Sequence, residues 1–282
     1  MLAAVGDLVE DIVARLLDDV NVASDTDAVL RRRRGGSAAN VVAAACVAGR
    51  PARFIGAVGD DAPGEWLVRE LIAAGADACV RRAGRTGTII VLLDRRGERT
   101  MLTDRGACAS LAHPEPQWLD GVHTLHVPMY SMVDEPLATT TRTLVRWAHA
   151  RGITVSVDLS SVALLEKLGS TRALEIVALL RPQVLLANEL ESAVFGRSLD
   201  PASIGAQVLV VKHGGQPAIV TRPGEPDIEV PAERIADVRD TTGAGDAFAA
   251  GMMLALADGA TVLDAVRAGH TLAATIVRTV SA

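Results

Sequence analysis

A glycine-rich turn that leads into a helix-forming segment is the part of this chain best suited to chemistry. The sequence runs Asp240-Thr241-Thr242-Gly243-Ala244-Gly245-Asp246-Ala247-Phe248, and mostly apolar residues follow as far as Leu256. The first N–H groups of a helix lack partners within the helix, and with the helix dipole they attract an anion. Asp246 adds a carboxylate at this point. A base beside an anion site suits phosphoryl transfer to a hydroxyl, although these residues are also typical of a simple strand-to-helix turn.

Strand and helix patterns alternate along the chain and must position this turn. Apolar runs predict buried strands at residues 2–5, 53–58, 123–127, 154–158, 184–187, 208–212 and 218–221. Helical patterns occur at residues 41–48, 63–74, 135–151, 171–180, 246–257 and 262–278. Repeated β–α units are typical of a parallel sheet that is covered by helices on both faces.

Two further segments predict a small second sheet. Residues 12–34 combine apolar alternation with a polar, charged end, which indicates short strands. Within residues 86–104, two strand-forming runs flank Arg95-Arg96-Gly97, which indicates a hairpin. We expect one domain over residues 1–282, to which this sheet is an addition.

Composition limits the partners and the compartment. The 282 residues carry a formal net charge of −6 and only 2% aromatics, which argues against a nucleic-acid partner. The basic run Arg31–Arg34 indicates a solvated strand edge or loop, with one arginine reaching an anionic substrate as the alternative. Three separated cysteines, no signal-peptide pattern and no long uncharged run predict a cytoplasmic protein without disulfides, zinc or a membrane partner.

Familiar nucleotide-binding motifs are absent from the sequence. There is no Gly-x-x-x-x-Gly-Lys-Ser/Thr loop and no protein-kinase motif set, which excludes those two kinase classes. Gly6 is followed by Asp7-Leu8 and not by the spaced glycines of a dinucleotide-binding turn.

Four separated motifs do agree with one another in type and order. They are Gly35-Gly36-Ser37-Ala38-Ala39-Asn40, Gly56-x-x-Gly59-x-Asp61-x-x-Gly64, Asn188-Glu189-Leu190-Glu191 and the opening turn. In this order, over nearly the full length, the chain resembles the PfkB family of ribokinase-type sugar kinases. The resemblance implies a three-layer α/β/α sandwich with a mainly parallel central sheet and a small β-sheet lid. It implies an ATP-dependent sugar kinase whose lid closes over a small sugar or sugar derivative.

The resemblance also implies roles for individual residues. Asp246 would be the catalytic base, and Gly243, Ala244 and Gly245 would form the anion hole. The substrate would be bound by Asp11, Gly35, Gly36, Asn40 and Asp246, and the nucleotide by Asn188, Lys212, Gly214 and His270. Glu191 would order Mg²⁺ through water, and Asp240 and Thr242 would hold a monovalent cation such as K⁺, whose activating effect the sequence leaves open.

The residues alone leave simpler interpretations beside these roles. Asp11 is also typical of a surface carboxylate, with Asp7 as its rival in the site. Glu191 also suits a helix N-terminus, and His270 an ordinary core or surface histidine.

The acceptor has several candidates on the same scaffold. A nucleoside would need an aromatic platform, for which Tyr130 is the main candidate, whereas a keto-deoxy sugar acid or a phosphosugar could pair with Arg105 or with residues 31–34. A sensor without catalytic activity is the alternative outside the enzymes. We also expect a homodimer through the exposed face of the lid.

Overall fold

The computed structural model describes residues 1–96, 98–236, 238 and 240–281. The described residues form thirteen strands: β1 (Leu2–Val5), β2 (Val9–Leu16), β3 (Ala28–Gly35), β4 (Ala52–Val58), β5 (Asp77–Arg82), β6 (Thr88–Leu93), β7 (Arg99–Asp104), β8 (Thr124–Pro128), β9 (Thr154–Asp158), β10 (Val184–Asn188), β11 (Val208–His213), β12 (Gln216–Thr221) and β13 (Ile228–Val230).

The same residues form nine α-helices: α1 (Ser37–Val47), α2 (Ala62–Ala73), α3 (Leu137–Ala150), α4 (Val162–Leu168), α5 (Ser170–Leu180), α6 (Glu189–Phe195), α7 (Pro201–Ile204), α8 (Ala244–Ala257) and α9 (Val262–Ser281). Within the described part of the chain, none of these helices combines the length and apolar character needed to span a membrane.

The large sheet is mainly parallel and has the order β13-β12-β11-β10-β9-β8-β1-β4-β5. The strands from β11 to β5 pair in parallel, and β12 and β13 add an antiparallel edge. The parallel part was predicted, but the antiparallel edge was not, because the short run of β12 has no sequence feature that sets its direction.

Helices cover both faces of this sheet. Along β1, Leu2 and Ala4 pack into one core with α1, α2, α8 and α9, whereas Ala3 and Val5 pack into the other with α3, α4 and α5. This alternation follows from the two-residue period of a strand. The predicted three-layer sandwich is confirmed.

The small sheet has the order β3-β2-β6-β7. β2 pairs antiparallel with β3 and parallel with β6, and β7 returns antiparallel to β6. The predicted second sheet is therefore present, while its action as a lid stays a prediction. Gly97 of the predicted hairpin turn and Ala282 of the predicted domain lie outside the described residues.

The predicted turn at residues 35–40 is partly wrong. Gly36 adopts a φ of 100°, and α1 begins directly after it at Ser37, four residues before the predicted start at Val41. The N–H of Asn40 donates to the Gly36 carbonyl at 2.9 Å. Asn40 therefore lies in the first turn of α1, and the helix fixes the direction in which its side chain leaves the backbone.

Candidate active site

A cleft of about 810 Å³ lies where several parallel strands end. Asp158 ends β9, Asn188 ends β10, and Lys212 is the penultimate residue of β11; all three line the cleft. The first turn of α8 forms another wall. Ligands of open α/β sheets bind at this carboxyl edge of the strands.

The start of α8 presents backbone donors to the cleft. Gly243 caps the helix with a φ of 77°, a conformation that favours glycine. The Ala244 N–H donates to the Thr241 carbonyl at 3.1 Å, and the Ala247 N–H donates to that of Gly243 at 2.8 Å. Among the described residues, the N–H groups between them, on Gly245 and Asp246, have no acceptor. These two groups are free to bind an anion.

The Asp246 carboxylate is held by two donors from α1. Ser37 Oγ donates to Oδ1 at 2.6 Å, and Asn40 Nδ2 donates to Oδ2 at 3.0 Å. Burial raises the pKa of Asp246 to about 6, although these hydrogen bonds and Lys212 oppose the shift. The carboxylate is thus fixed in position and ionised near neutral pH, as a general base requires.

Lys212 supplies positive charge beside this helix start. Its Nζ contacts Asp158 Oδ2 at 2.6 Å, and both side chains are largely buried. Burial would lower the pKa of Lys212, but Asp158 together with Glu191 and Asp246 outweighs this effect, and the pKa is raised. A Cβ placed on Gly245 would lie 3.5 Å from Nζ, so this ammonium group stands directly beside the glycine turn.

Glu191 closes the N-terminus of α6. Its Oε2 accepts from the Asn188 N–H, and Asn188 Oδ1 accepts from the Glu191 N–H, each at 2.8 Å. These two hydrogen bonds form a capping box. Glu191 therefore caps the N-terminus of α6, as the simpler interpretation of its sequence position expected. Burial and the neighbouring Asp158 raise the pKa of Glu191. Extra positive charge at this point would therefore stabilise the ionised form.

A divalent cation has carboxylates to approach here but no cage. In the part of the chain that the structure describes, no group of three or more His, Cys, Asp or Glu residues could hold a metal ion. Asp158 and Glu191 nevertheless line the cleft beside the free N–H groups. Such a donor set fits Mg²⁺, which keeps waters and binds through one or two carboxylates together with substrate phosphates.

The predicted substrate residues lie around β2, β3 and α1. Asp11 Oδ2 accepts from Arg33 Nε at 3.4 Å, and Oδ1 is buried without a partner among the described residues. Burial raises the pKa of Asp11 although Arg33 lowers it. A Cβ on Gly35 would lie 2.1 Å from Asp11 Oδ1, and one on Gly36 would lie 2.2 Å from the Asp7 carbonyl. Both glycines are thus required by close approach.

The far end of the cleft is apolar. His270 and Phe248 meet edge to face, with ring centroids 5.1 Å apart, and both line the cleft together with Gly214. Burial lowers the pKa of His270, so the ring is neutral near pH 7, and Nε2 has no partner among the described residues. Tyr130 also lines the cleft.

Arg105 and Asp7 form a tight pair outside these groups. Arg105 donates to both Asp7 oxygens, at 2.6 and 3.0 Å, and to Asp134 Oδ2 at 2.5 Å. The positive charge that a sugar acid could use is therefore balanced by two carboxylates. Asp7 was the alternative to Asp11 as a substrate ligand, and its two carboxylate oxygens both accept hydrogen bonds from Arg105.

Three contributors to the site were missed from the sequence. Ser37 lies inside the glycine-rich motif at residues 35–40, and a hydroxyl at a helix start was the signal that could have identified it. Asp158 ends a correctly predicted strand next to Asn188, and this shared edge was the signal. Arg99 reaches Asp240 and Thr242 from β7, and nothing in the sequence relates these segments.

Comparisons with known proteins agree with this geometry. The profile of the family described as pfkB family carbohydrate kinase matches residues 1–282. An ATP-dependent ribose-1-phosphate kinase from Halopiger xanaduensis is 33% identical over 82% of this chain and 76% of its own length. A fructokinase from Klebsiella pneumoniae is 30% identical over 84% of this chain and 81% of its own. The crystal structure of adenosine kinase from Sinorhizobium meliloti has the same fold, with a TM-score of 0.86 at 24% identity over 98% of this chain and 93% of that one.

Proposed function

Because the chain belongs to the pfkB family of carbohydrate kinases, we propose that it transfers the γ-phosphoryl group of ATP to a hydroxyl of a small sugar or sugar derivative. The observation that carries this proposal is the fixed Asp246 carboxylate next to two free N–H groups of α8. A base and an anion site in contact are what phosphoryl transfer to a hydroxyl uses. A binding protein without catalysis would not need the base.

In the proposed reaction, Asp246 takes the proton of the attacking hydroxyl. The N–H groups of Gly245 and Asp246, together with the turn Gly243-Ala244-Gly245, stabilise negative charge on the transferred group. Lys212 adds positive charge beside the same turn, since its Nζ is adjacent to Gly245. Each of these groups is in place before the acceptor binds, so little reorganisation is needed at the moment of transfer.

The nucleotide and its metal would occupy the remaining cleft. His270 and Phe248 offer an apolar end of the cleft for the adenine ring of the nucleotide. Its phosphates would lie nearer to the other predicted nucleotide-binding residues, which are Asn188, Lys212 and Gly214. Glu191 and Asp158 would hold Mg²⁺ through water. The metal would supply positive charge that screens the negative charge of the phosphates. The raised pKa of Glu191 supports this placement, because burial and the neighbouring Asp158 both disfavour its ionised form and a cation would offset both effects.

The acceptor would lie between Asp246 and the small sheet. The buried Oδ1 of Asp11 has no partner among the residues that the structure describes, and a sugar hydroxyl would satisfy it. Gly35, Gly36 and Asn40 would form the rest of this pocket. Arg105 offers little to a sugar acid, because the carboxylate of the substrate would have to displace Asp7 or Asp134 from it. The named activities of the relatives cover a phosphosugar and an unphosphorylated sugar.

The small sheet would act as the lid and as a dimer interface. By strand alternation, Leu30, Ile90 and Leu102 lie on the face opposite to Asp11. Their side chains are exposed, Leu30 to 66% and Leu102 to 54%. Burying this apolar face against a second copy would remove it from water. We also propose that the protein acts in the cytoplasm.

The test is a coupled assay of ADP release with Mg²⁺ and ATP. Neutral sugars, sugar acids, sugar phosphates and nucleosides are compared at equal concentration, with Asp246→Asn as the inactive control. We expect acceptor-dependent ADP formation that is largest for a neutral sugar or a sugar phosphate. Tight binding of ATP and a sugar without any ADP would favour the sensor instead.

A further inference from the structure

Arg99 of the small sheet contacts the loop that precedes α8. Its Nη2 donates to Asp240 Oδ1 at 2.6 Å, and its Nη1 donates to Thr242 Oγ1 at 2.7 Å. The two segments are more than 140 residues apart in sequence. Arg99, Thr242 and Gly243 all line the cleft, so this contact belongs to the wall beside the anion-binding turn.

The oxygens expected to bind a monovalent cation are engaged by this arrangement. Asp240 Oδ1 accepts from the Thr242 N–H at 2.8 Å and from Thr242 Oγ1 at 2.5 Å, in addition to Arg99. Arg33 Nη1 stands 3.7 Å from Asp240 Oδ2. A metal ion would have to compete with these donors and face two permanently charged guanidinium groups. The described residues therefore do not fit K⁺ at Asp240 and Thr242.

We infer that Arg99 is a positioning residue that provides the anion-binding turn with a built-in positive charge, so that the enzyme needs no monovalent metal ion. The planar guanidinium bridges Asp240 and Thr242 and so fixes the residues that lead into Gly243. Its charge also raises the electrostatic potential in the cleft where phosphates would lie. This inference rests on the proposed kinase function for its catalytic consequence, but not for its effect on nucleotide binding.

The opposing interpretation is a surface ion pair of little consequence. Both side chains are partly exposed, Arg99 to 33% and Asp240 to 27%, and exposed pairs often contribute almost nothing. The two interpretations differ in what happens when Arg99 is removed. If the contact is only a surface ion pair, removal of Arg99 leaves nucleotide binding unchanged. If Arg99 supplies the positive charge of the loop, its removal leaves the loop without a cation and weakens nucleotide binding.

The experiment compares wild type with Arg99→Ala, Arg99→Lys and the control Arg15→Ala. Arg15 is an exposed arginine on β2 of the same sheet, with no ion pair among the described residues. The proteins are freed of alkali metal ions. K⁺ then replaces tetramethylammonium stepwise, from zero to complete exchange, at constant ionic strength. Calorimetry measures the Kd of ATP with Mg²⁺, and the coupled assay measures kcat.

We expect wild type and Arg15→Ala to change less than about twofold in Kd and kcat between zero and saturating K⁺. Arg99→Ala should bind the nucleotide roughly tenfold more weakly without K⁺, from the loss of charge-assisted hydrogen bonds. K⁺ or guanidinium ion should restore part of this loss, and Arg99→Lys should be intermediate.

Two results would overturn the inference. One is nucleotide binding or turnover by wild type that rises severalfold with K⁺. The other is an Arg99→Ala protein that binds ATP as wild type does in the absence of K⁺. If no acceptor gives ADP with wild type, the proposed function fails, but the binding measurements still decide the role of Arg99.

Discussion

Asn40 joins the Asp246 carboxylate to the Arg34 guanidinium. Its Nδ2 donates to Asp246 Oδ2 at 3.0 Å, and its Oδ1 accepts from Arg34 Nη1 at 3.0 Å. A guanidinium can only donate and an ionised carboxylate can only accept, so the amide between them has one orientation. Asn40 therefore positions the carboxylate in addition to any contact with a substrate.

Asp246→Asn should abolish most of the turnover. The substitution keeps the shape of the side chain and removes its basicity, so we expect kcat to fall roughly a hundredfold or more while the Kd of ATP changes little. Steady-state kinetics and calorimetry on the same preparation measure the two quantities. Near-normal turnover would show that another group accepts the proton.

The ionisation of Asp246 predicts opposite trends for activity and stability. Its pKa is raised to about 6 by burial, so kcat should fall by about tenfold per pH unit once the pH drops well below 6. Between the ordinary pKa and about 6, the folded protein binds the proton more tightly than the unfolded chain. The Asp246 contribution to the free energy of unfolding therefore decreases as pH rises through this window.

Asp246→Asn removes this titration, so comparison with the variant isolates the contribution of Asp246 in wild type. The free energy of unfolding of the variant minus that of wild type should increase by roughly 1–3 kcal/mol as the pH rises from about 4 to about 7. Urea denaturation at several pH values measures this difference. A difference that does not vary with pH would mean that the carboxylate has the same pKa in the folded and unfolded states.

Much of the fold could be predicted because its signals are local. The apolar runs of β1 and β9 and the glycines that end the helices mark their elements directly. α6 was missed because its seven residues hold too little periodicity, although the capping pair Asn188 and Glu191 was visible. β5 was missed because its side chains are largely polar or partly exposed, as suits a sheet edge.

The site was predictable only where chemistry follows from one segment. The turn at Gly243–Asp246 has its glycines, carboxylate and helix within a few residues. By contrast, the contacts of Asp246 with Ser37 and of Arg99 with Asp240 each join segments more than 140 residues apart. Such contacts depend on the packing of α1 against α8 and on the placement of the small sheet. Residue types alone do not specify them.

Gly35→Ala should weaken acceptor binding and spare the nucleotide. The new Cβ would lie 2.1 Å from Asp11 Oδ1, so the carboxylate must move away from its present position. We expect a loss in sugar affinity of about 1–3 kcal/mol, similar to Asp11→Ala and Asn40→Ala, with the Kd of ATP nearly unchanged. Calorimetry with each ligand separates the two. Loss of ATP binding with intact sugar binding would reverse the assignment of the two subsites.

The apolar outer face of the small sheet should hold two copies together. Leu30→Glu and Leu102→Glu place charges on this exposed face and should dissociate a dimer without loss of folded structure. Sedimentation equilibrium measures the mass, and circular dichroism checks the fold. A wild-type protein that stays monomeric at tens of micromolar would remove the proposed interface.

Glu191→Gln and Gly245→Val test the metal and the anion-binding turn together. Removing the charge of Glu191 should raise the Mg²⁺ concentration needed for half-maximal activity. The capping box of α6 is kept, because a glutamine side chain can still accept a hydrogen bond from the Asn188 N–H. Gly245→Val should be more damaging, because a branched side chain would crowd Lys212 Nζ, only 3.5 Å from the Cβ position, and obstruct the free N–H groups. Kinetics with Mg²⁺ varied distinguish the two defects. Excess Mg²⁺ should rescue Glu191→Gln and leave Gly245→Val inactive, and rescue of both variants would mean that the turn does not contact the transferred phosphoryl group.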